Sequence, residues 1–150
     1  MSIFNELLSN RVLIVGITGW AIAQVLKVII NAIVTKEFSI ERLFGDGGMP
    51  SGHSTTVSAM AMKAFLIYGI GSFEFAISAM LAIIVMHDAM GVRLETGKQA
   101  IVINDIVEYL KKKDLLQGIQ EGDLKELVGH TPLQVGAGCV LGLLVGYFLF

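Results

Sequence analysis

Four long apolar runs, at residues 12–34, 54–70, 73–92 and 131–150, leave this 150-residue chain few ways to fold. Each approaches the roughly 20 residues a helix needs to cross a hydrocarbon core of about 30 Å; the second is the shortest and carries Lys63. Hydrophobic residues make up 54% of the chain and charged ones only 16%, against about 25% in an ordinary soluble domain. A water-soluble domain this small leaves too much surface exposed to hide so many apolar side chains. A very hydrophobic soluble helical bundle is therefore the weaker alternative. The expectation is an all-α integral membrane bundle of about four transmembrane helices, forming a single domain over 1–150. The first run is too long for the apolar part of a cleavable signal peptide and lacks a small-residue cleavage site.

Basic residues set the expected orientation. Four crossings place the segments around 35–53 and 93–130 on one side, with Lys36, Arg42, Arg93, Lys98, Lys111, Lys112, Lys113 and Lys125; the other side has Arg11. The positive-inside rule puts both long loops in the cytoplasm. The first loop has room for a short interfacial helix around Ile40 to Phe44. In the second, an insertion at about 94–129, Ile103, Ile106, Val107 and Leu110 fall at helical spacing. An amphipathic helix on the cytoplasmic leaflet, with the lysine run 111–113 toward anionic headgroups, and a solvated helix with a charged face fit equally well. Cys139 is the only cysteine and lies in an apolar run, so neither an intramolecular disulfide nor a thiolate metal cluster is expected.

Ionisable groups within apolar runs are costly and usually face the interior of a bundle. Gln24, Lys27 and Asn31 share one face of the first run. Lys27, in its cytoplasmic half, is equally consistent with function and with snorkelling. For Lys63 snorkelling or a carboxylate partner is expected. His87, Asp88 and Arg93 gather where the third run ends. His130 and Gln134 stand one turn apart, and their face continues through Gly138, Gly142 and Gly146, a ladder suited to close helix contact that turns both polar residues inward.

Lys27, the stretch Pro50-Ser51-Gly52-His53, Arg93 and His130 thus converge at one membrane depth. Two histidines, cations and a glycine-containing helix start describe an anion site with nucleophilic and acid–base capacity, and phosphate is the obvious anion. The N–H groups of Ser51 and Gly52 are expected to bind its oxygens. The bland alternative for residues 50–54 is an ordinary helix start. No metal site is expected from His87 and Asp88 alone.

The stretches GGMPSGHSTTVSAM, HDAMGVRLETGKQA and GHTPLQVGAGCVLG, with Lys27 upstream, make the chain resemble the type 2 phosphatidic acid phosphatase (PAP2) superfamily, related to vanadium haloperoxidases, and most closely its small divergent membrane branch. That superfamily carries K-x6-R-P, P-S-G-H and S-R-x5-H-x3-D. Here Lys27 matches the first lysine, but Val34 and Thr35 stand where arginine and proline would; Arg42 is a candidate substitute cation. Pro50 to His53 complete the second pattern. Arg93 follows Val92 rather than serine, an insertion separates it from His130, and Gln134 replaces the final aspartate.

The resemblance implies a metal-independent phosphatase without a cofactor. His130 would attack phosphorus, His53 would protonate the departing alkoxide and then activate water, and Lys27, Arg93, Ser51 and Gly52 would hold the equatorial oxygens. Asp88 is a candidate source of the charge that Gln134 cannot carry. The expected substrate is a lipid phosphomonoester or diphosphate reached from the cytoplasmic face of a bacterial plasma membrane, with the bilayer and its lipid phosphates as partners and no nucleic acid. The sequence leaves a homo-oligomer open. Two other functions compete: a catalytically weak or inactive lipid-phosphate-binding protein, favoured by Gln134 and the missing Arg-Pro, and a small transporter, for which no inverted repeat is visible.

Overall fold

A computed structural model describes residues 2–36, 48–113, 124 and 129–149. These form six helices: α1 (Ile3–Ser9), α2 (Arg11–Thr35), α3 (Gly52–Tyr68), α4 (Phe73–Met90), α5 (Val92–Lys112) and α6 (Pro132–Phe148). No strand occurs among the described residues. Arg42 and the expected interfacial helix at 40–44 lie outside the described residues.

Local chemistry sets the boundaries. Asn10, Ser51, Ser72 and Thr131 each accept a first-turn N–H through the side chain, starting α2, α3, α4 and α6. Gly69, with φ +84°, ends α3, and its N–H donates to Phe65 O. The Gly91 N–H donates to the carbonyls of His87 and Asp88, separating α4 from α5 by a single residue.

α3 lies at the centre, packed by α2, α4 and α6. Its buried residues are almost all small: Gly52, Ser54, Thr55, Ser58, Ala59, Ala61 and Ala64, with Val57 and Lys63. Close approach explains the choice. A Cβ on Gly138 would stand 2.5 Å from Ser51 O, one on Gly146 would stand 2.6 Å from Ala59 O, and one on Gly142 would collide with Thr55 O. The glycine ladder of α6 therefore runs on the backbone of α3, and the matched order of contacts makes the two helices parallel. α2 crosses α3 antiparallel, Gly16 lying against Met60 and Gly19 against Ala59. The buried hydroxyl of Thr55 donates to Ser51 O, so this polar core is satisfied within its own helix.

Large apolar residues instead face outward: Ile17, Ile29 and Ile33 on α2, Ile77, Ile83 and Ile84 on α4, Leu143 and Leu144 on α6. Contiguous exposed apolar surface on this scale suits a lipid solvent. Two helical stretches are long and apolar enough to cross a membrane, Arg11–Thr35 and the near-continuous run Phe73–Lys112, whose most apolar window is only 11% buried. α3 and α6 are shorter, 17 residues each, about 25 Å of helix. The structure thus supplies two spans by length and composition where four were expected. It also starts α5 at Val92, directly after α4, where the sequence reading placed a loop.

Candidate functional site

The N-termini of α3 and α6 and the start of α5 gather at one end of the bundle, where α3 begins against the C-terminal half of α2. Helix starts leave N–H groups without intrahelical acceptors and carry the positive end of the helix dipole, so this end favours anions.

His130 is the largest of the almost fully buried side chains there, with 1% of its surface exposed. Its N–H donates to Ala89 O at 3.1 Å, tying it to the end of α4. The backbone of Gly129 sits so close to Arg93 and Leu94 that a Cβ would overlap them. One turn on, Gln134 O accepts the Ser51 N–H at 3.1 Å. The first turn of α6 is thereby strapped to α4, α5 and α3 together.

Gln134 Oε1 lies 3.1 Å from the Thr131 N and 3.3 Å from His130 Nδ1. A backbone N–H can only donate, so the atom facing Thr131 is the amide oxygen. The same oxygen facing Nδ1 requires the imidazole proton there, which leaves Nε2 with its lone pair. Thr131 and Gln134 form a reciprocal capping box with Pro132 at the first helical position. Gln134 thus both caps α6 and selects the His130 tautomer. The capping role escaped the sequence reading although Thr-Pro-Leu-Gln carries its signature.

His53 completes the pair, its ring centroid 6.1 Å from that of His130 at an interplanar angle of 64°. Ser51 is fully buried; its Oγ accepts from Ser54 N and Ser54 Oγ. One expectation is corrected here. The Ser51 N–H is committed to Gln134 O, which leaves the Gly52 amide as the remaining candidate of the two. A Cβ on Gly52 would meet Trp20 and Gln24 at 3.5–3.8 Å, ordinary contact, so packing within the protein does not itself demand glycine.

Lys27 is 3% exposed, turned into the bundle rather than snorkelling, and its stem lies under Gly48, where a Cβ would stand 3.2 Å from Lys27 Cγ. Gly48 has φ +103°, a conformation suited to glycine. Gln24, one turn from Lys27, is also buried, and its Oε1 has no hydrogen-bond partner among the described residues. Lys63 is buried too, at 3% exposure.

Arg93 stands at the rim. Its Nε donates to Asp88 Oδ2 at 2.9 Å, and both side chains are nearly half exposed. Asp88 therefore orients Arg93, while the group on His130 Nδ1 is Gln134. The structure brings together His130, Gln134, His53, Ser51 and Gly52, flanked by Lys27 and rimmed by Arg93 and Asp88. His87 is exposed. Among the described residues no three His, Cys, Asp or Glu side chains form a group able to hold a metal ion.

Residues 8–145 match the family model described as the divergent PAP2 family. The chain is 38% identical over 148 residues to an uncharacterized membrane protein, YuiD, of Bacillus subtilis (strain 168), covering 93% of this chain and 94% of that one. No solved structure matches at a significant level.

Proposed function

Because the chain belongs to the divergent PAP2 family and is a membrane protein, we propose that it is a lipid phosphate phosphatase working through a phosphohistidine. The observation that carries this reading is the buried His130, with Nδ1 held by Gln134 and His53 beside it.

In the first step the Nε2 lone pair of His130 forms a bond to phosphorus as the bond to the lipid oxygen breaks, and His53 gives its proton to the departing alkoxide. In the second, His53 takes a proton from water, whose oxygen attacks phosphorus and returns the N–P electron pair to His130. Lys27, Arg93, the Ser51 hydroxyl and the Gly52 amide offset charge on the equatorial oxygens. Gln134 supplies tautomer and orientation but no negative charge for the imidazolium. In serine proteases an acid-to-amide change that imposes the wrong tautomer costs about ten-thousand-fold; here the carbonyl favours the right one, so the penalty is confined to the missing charge.

We place the site on the cytoplasmic side, with α2, α3, α4 and α6 as four crossings of one domain, the loops at 35–53 and 93–130 inside, and α5, within the insertion at about 94–129, at the leaflet surface. The positive-inside count and the outward apolar faces support this. The substrates are membrane-borne monoesters or diphosphates made on that leaflet. The second reading, a lipid-phosphate-binding protein with little turnover, draws on the neutral Gln134.

The test is inorganic phosphate release by the purified protein from a panel of lipid phosphates with chelator present, beside His130→Ala and His53→Ala. Release that His130→Ala abolishes supports the phosphatase. Binding without release by the intact protein selects the second reading.

A further inference from the structure

His53 also closes the upper end of an apolar groove of about 390 Å³ between α2 and α3, floored in part by Val85 of α4. Trp20 and Gly16 line it from α2, Val57 and Met60 from α3. The hydroxyl of Thr56, which also borders it, donates to Gly52 O, so the groove offers a chain no unsatisfied hydroxyl. From His53 to Met60 is seven residues, about 10 Å along α3. At the far end the Met60 side chain lies over Gly16, where a Cβ would stand 2.7 Å from Met60 Cγ and 2.9 Å from Sδ.

We propose that this groove takes the single apolar chain borne by the leaving oxygen of the substrate, and that Gly16 and Met60 set the chain length accepted. The inference rests on the phosphatase reading for its occupant. In an in-line displacement the nucleophile and the leaving oxygen stand on opposite sides of phosphorus. With His130 attacking, the leaving oxygen is beside His53, and the chain attached to it enters the groove that begins there. The volume lies near the lower end of small-molecule pockets, about 300–1,000 Å³, which suits one chain rather than two. Ester carbonyls of a diacylglycerol would be drawn into apolar surroundings without donors, at a desolvation cost. The class selected is therefore a monoester with its phosphate directly on one alkyl or prenyl chain. Met60 is a flexible stop, able to move slightly for a longer chain.

The experiment uses n-alkyl phosphates of graded length, plain and brominated, with the purified protein in detergent and chelator present. Trp20 is the only tryptophan, so its fluorescence reports occupancy of the groove independently of turnover. Saturable quenching by brominated alkyl phosphates is expected in the wild type and in His130→Ala, and much weaker quenching by the corresponding brominated alcohols. Gly16→Leu should shift the preferred length downward and Met60→Ala upward, each by about tenfold in relative affinity at the ends of the series. Quenching indifferent to the phosphate means a general lipid contact, and quenching that varies with protein concentration means a second copy on this face; either overturns the proposal. Phosphate release with a length preference unmoved in both variants sinks the groove and leaves the phosphatase standing. Length-dependent quenching that shifts in both variants, without phosphate release, leaves the groove standing and sinks the phosphatase.

Discussion

The site has a closed side, where α6 lies on α3, and an open side, where α4 turns into α5. On the closed side three glycines bring backbones into contact, Ser51 and Gln134 share a hydrogen bond, and His130 is almost wholly buried. On the open side Asp88 and Arg93 form a half-exposed ion pair beside Gly91. The contrast separates two duties. The proposed nucleophile, His130, is fixed by contacts to α3, α4 and α5 at once, whereas Arg93 is held by a pair that water can replace. A reacting nitrogen tolerates little displacement, and a charge acting on phosphate oxygens tolerates more.

This contrast can be broken by substitution, and the effects should descend in order. His130→Ala should lower phosphate release by about a thousandfold or more, while the purified protein keeps its helical circular dichroism. Gly142→Ala should cost about 2 kcal/mol or more, seen as a lower Tm in detergent, since its Cβ meets the carbonyl of Thr55; Gly136→Ala on the outer face of the same helix, with nothing within 4 Å, should leave Tm unchanged or slightly raised. Gln134→Glu keeps the reach of the capping box and adds the missing charge, so kcat should rise by about tenfold. Asp88→Asn should change stability by less than about 1 kcal/mol and weaken lipid phosphate binding only modestly, with the wild-type difference shrinking in high salt. If Asp88→Asn instead matched His130→Ala, the two sides would not be separable.

Much of the closed side was legible in sequence because it rests on short-range pattern. Pro50 to His53 stand out chemically, and four-residue spacing aligned His130 and Gln134 with Gly138, Gly142 and Gly146. The inward turn of Lys27 was one of the two readings its place beside Gln24 left open. What the sequence did not reveal depends on contacts between distant residues: that Gln134 O takes the Ser51 N–H, and that Asp88 holds Arg93. The near-continuity of α4 and α5 was hidden for another reason. Polarity rises sharply after Gly91, and a polarity change reads as a loop, yet helix formation depends on propensity and hydrogen bonding as well as on apolar content. That Gln134 also caps α6 shows only in its backbone partners.

The glycine ladder has a consequence for alignment. Its teeth recur every four residues, about 6 Å, and the α3 surface beneath repeats at the same interval, Ser51, Thr55, Ala59. A slide of α6 by one tooth would still lay two of its three glycines on small residues, so the toothed surface is a vernier without a zero mark. The zero is supplied at the end, where His130 N meets Ala89 O and Ser51 N meets Gln134 O. The bonds that position the proposed chemistry are thus also the ones that tell the helix where to stop.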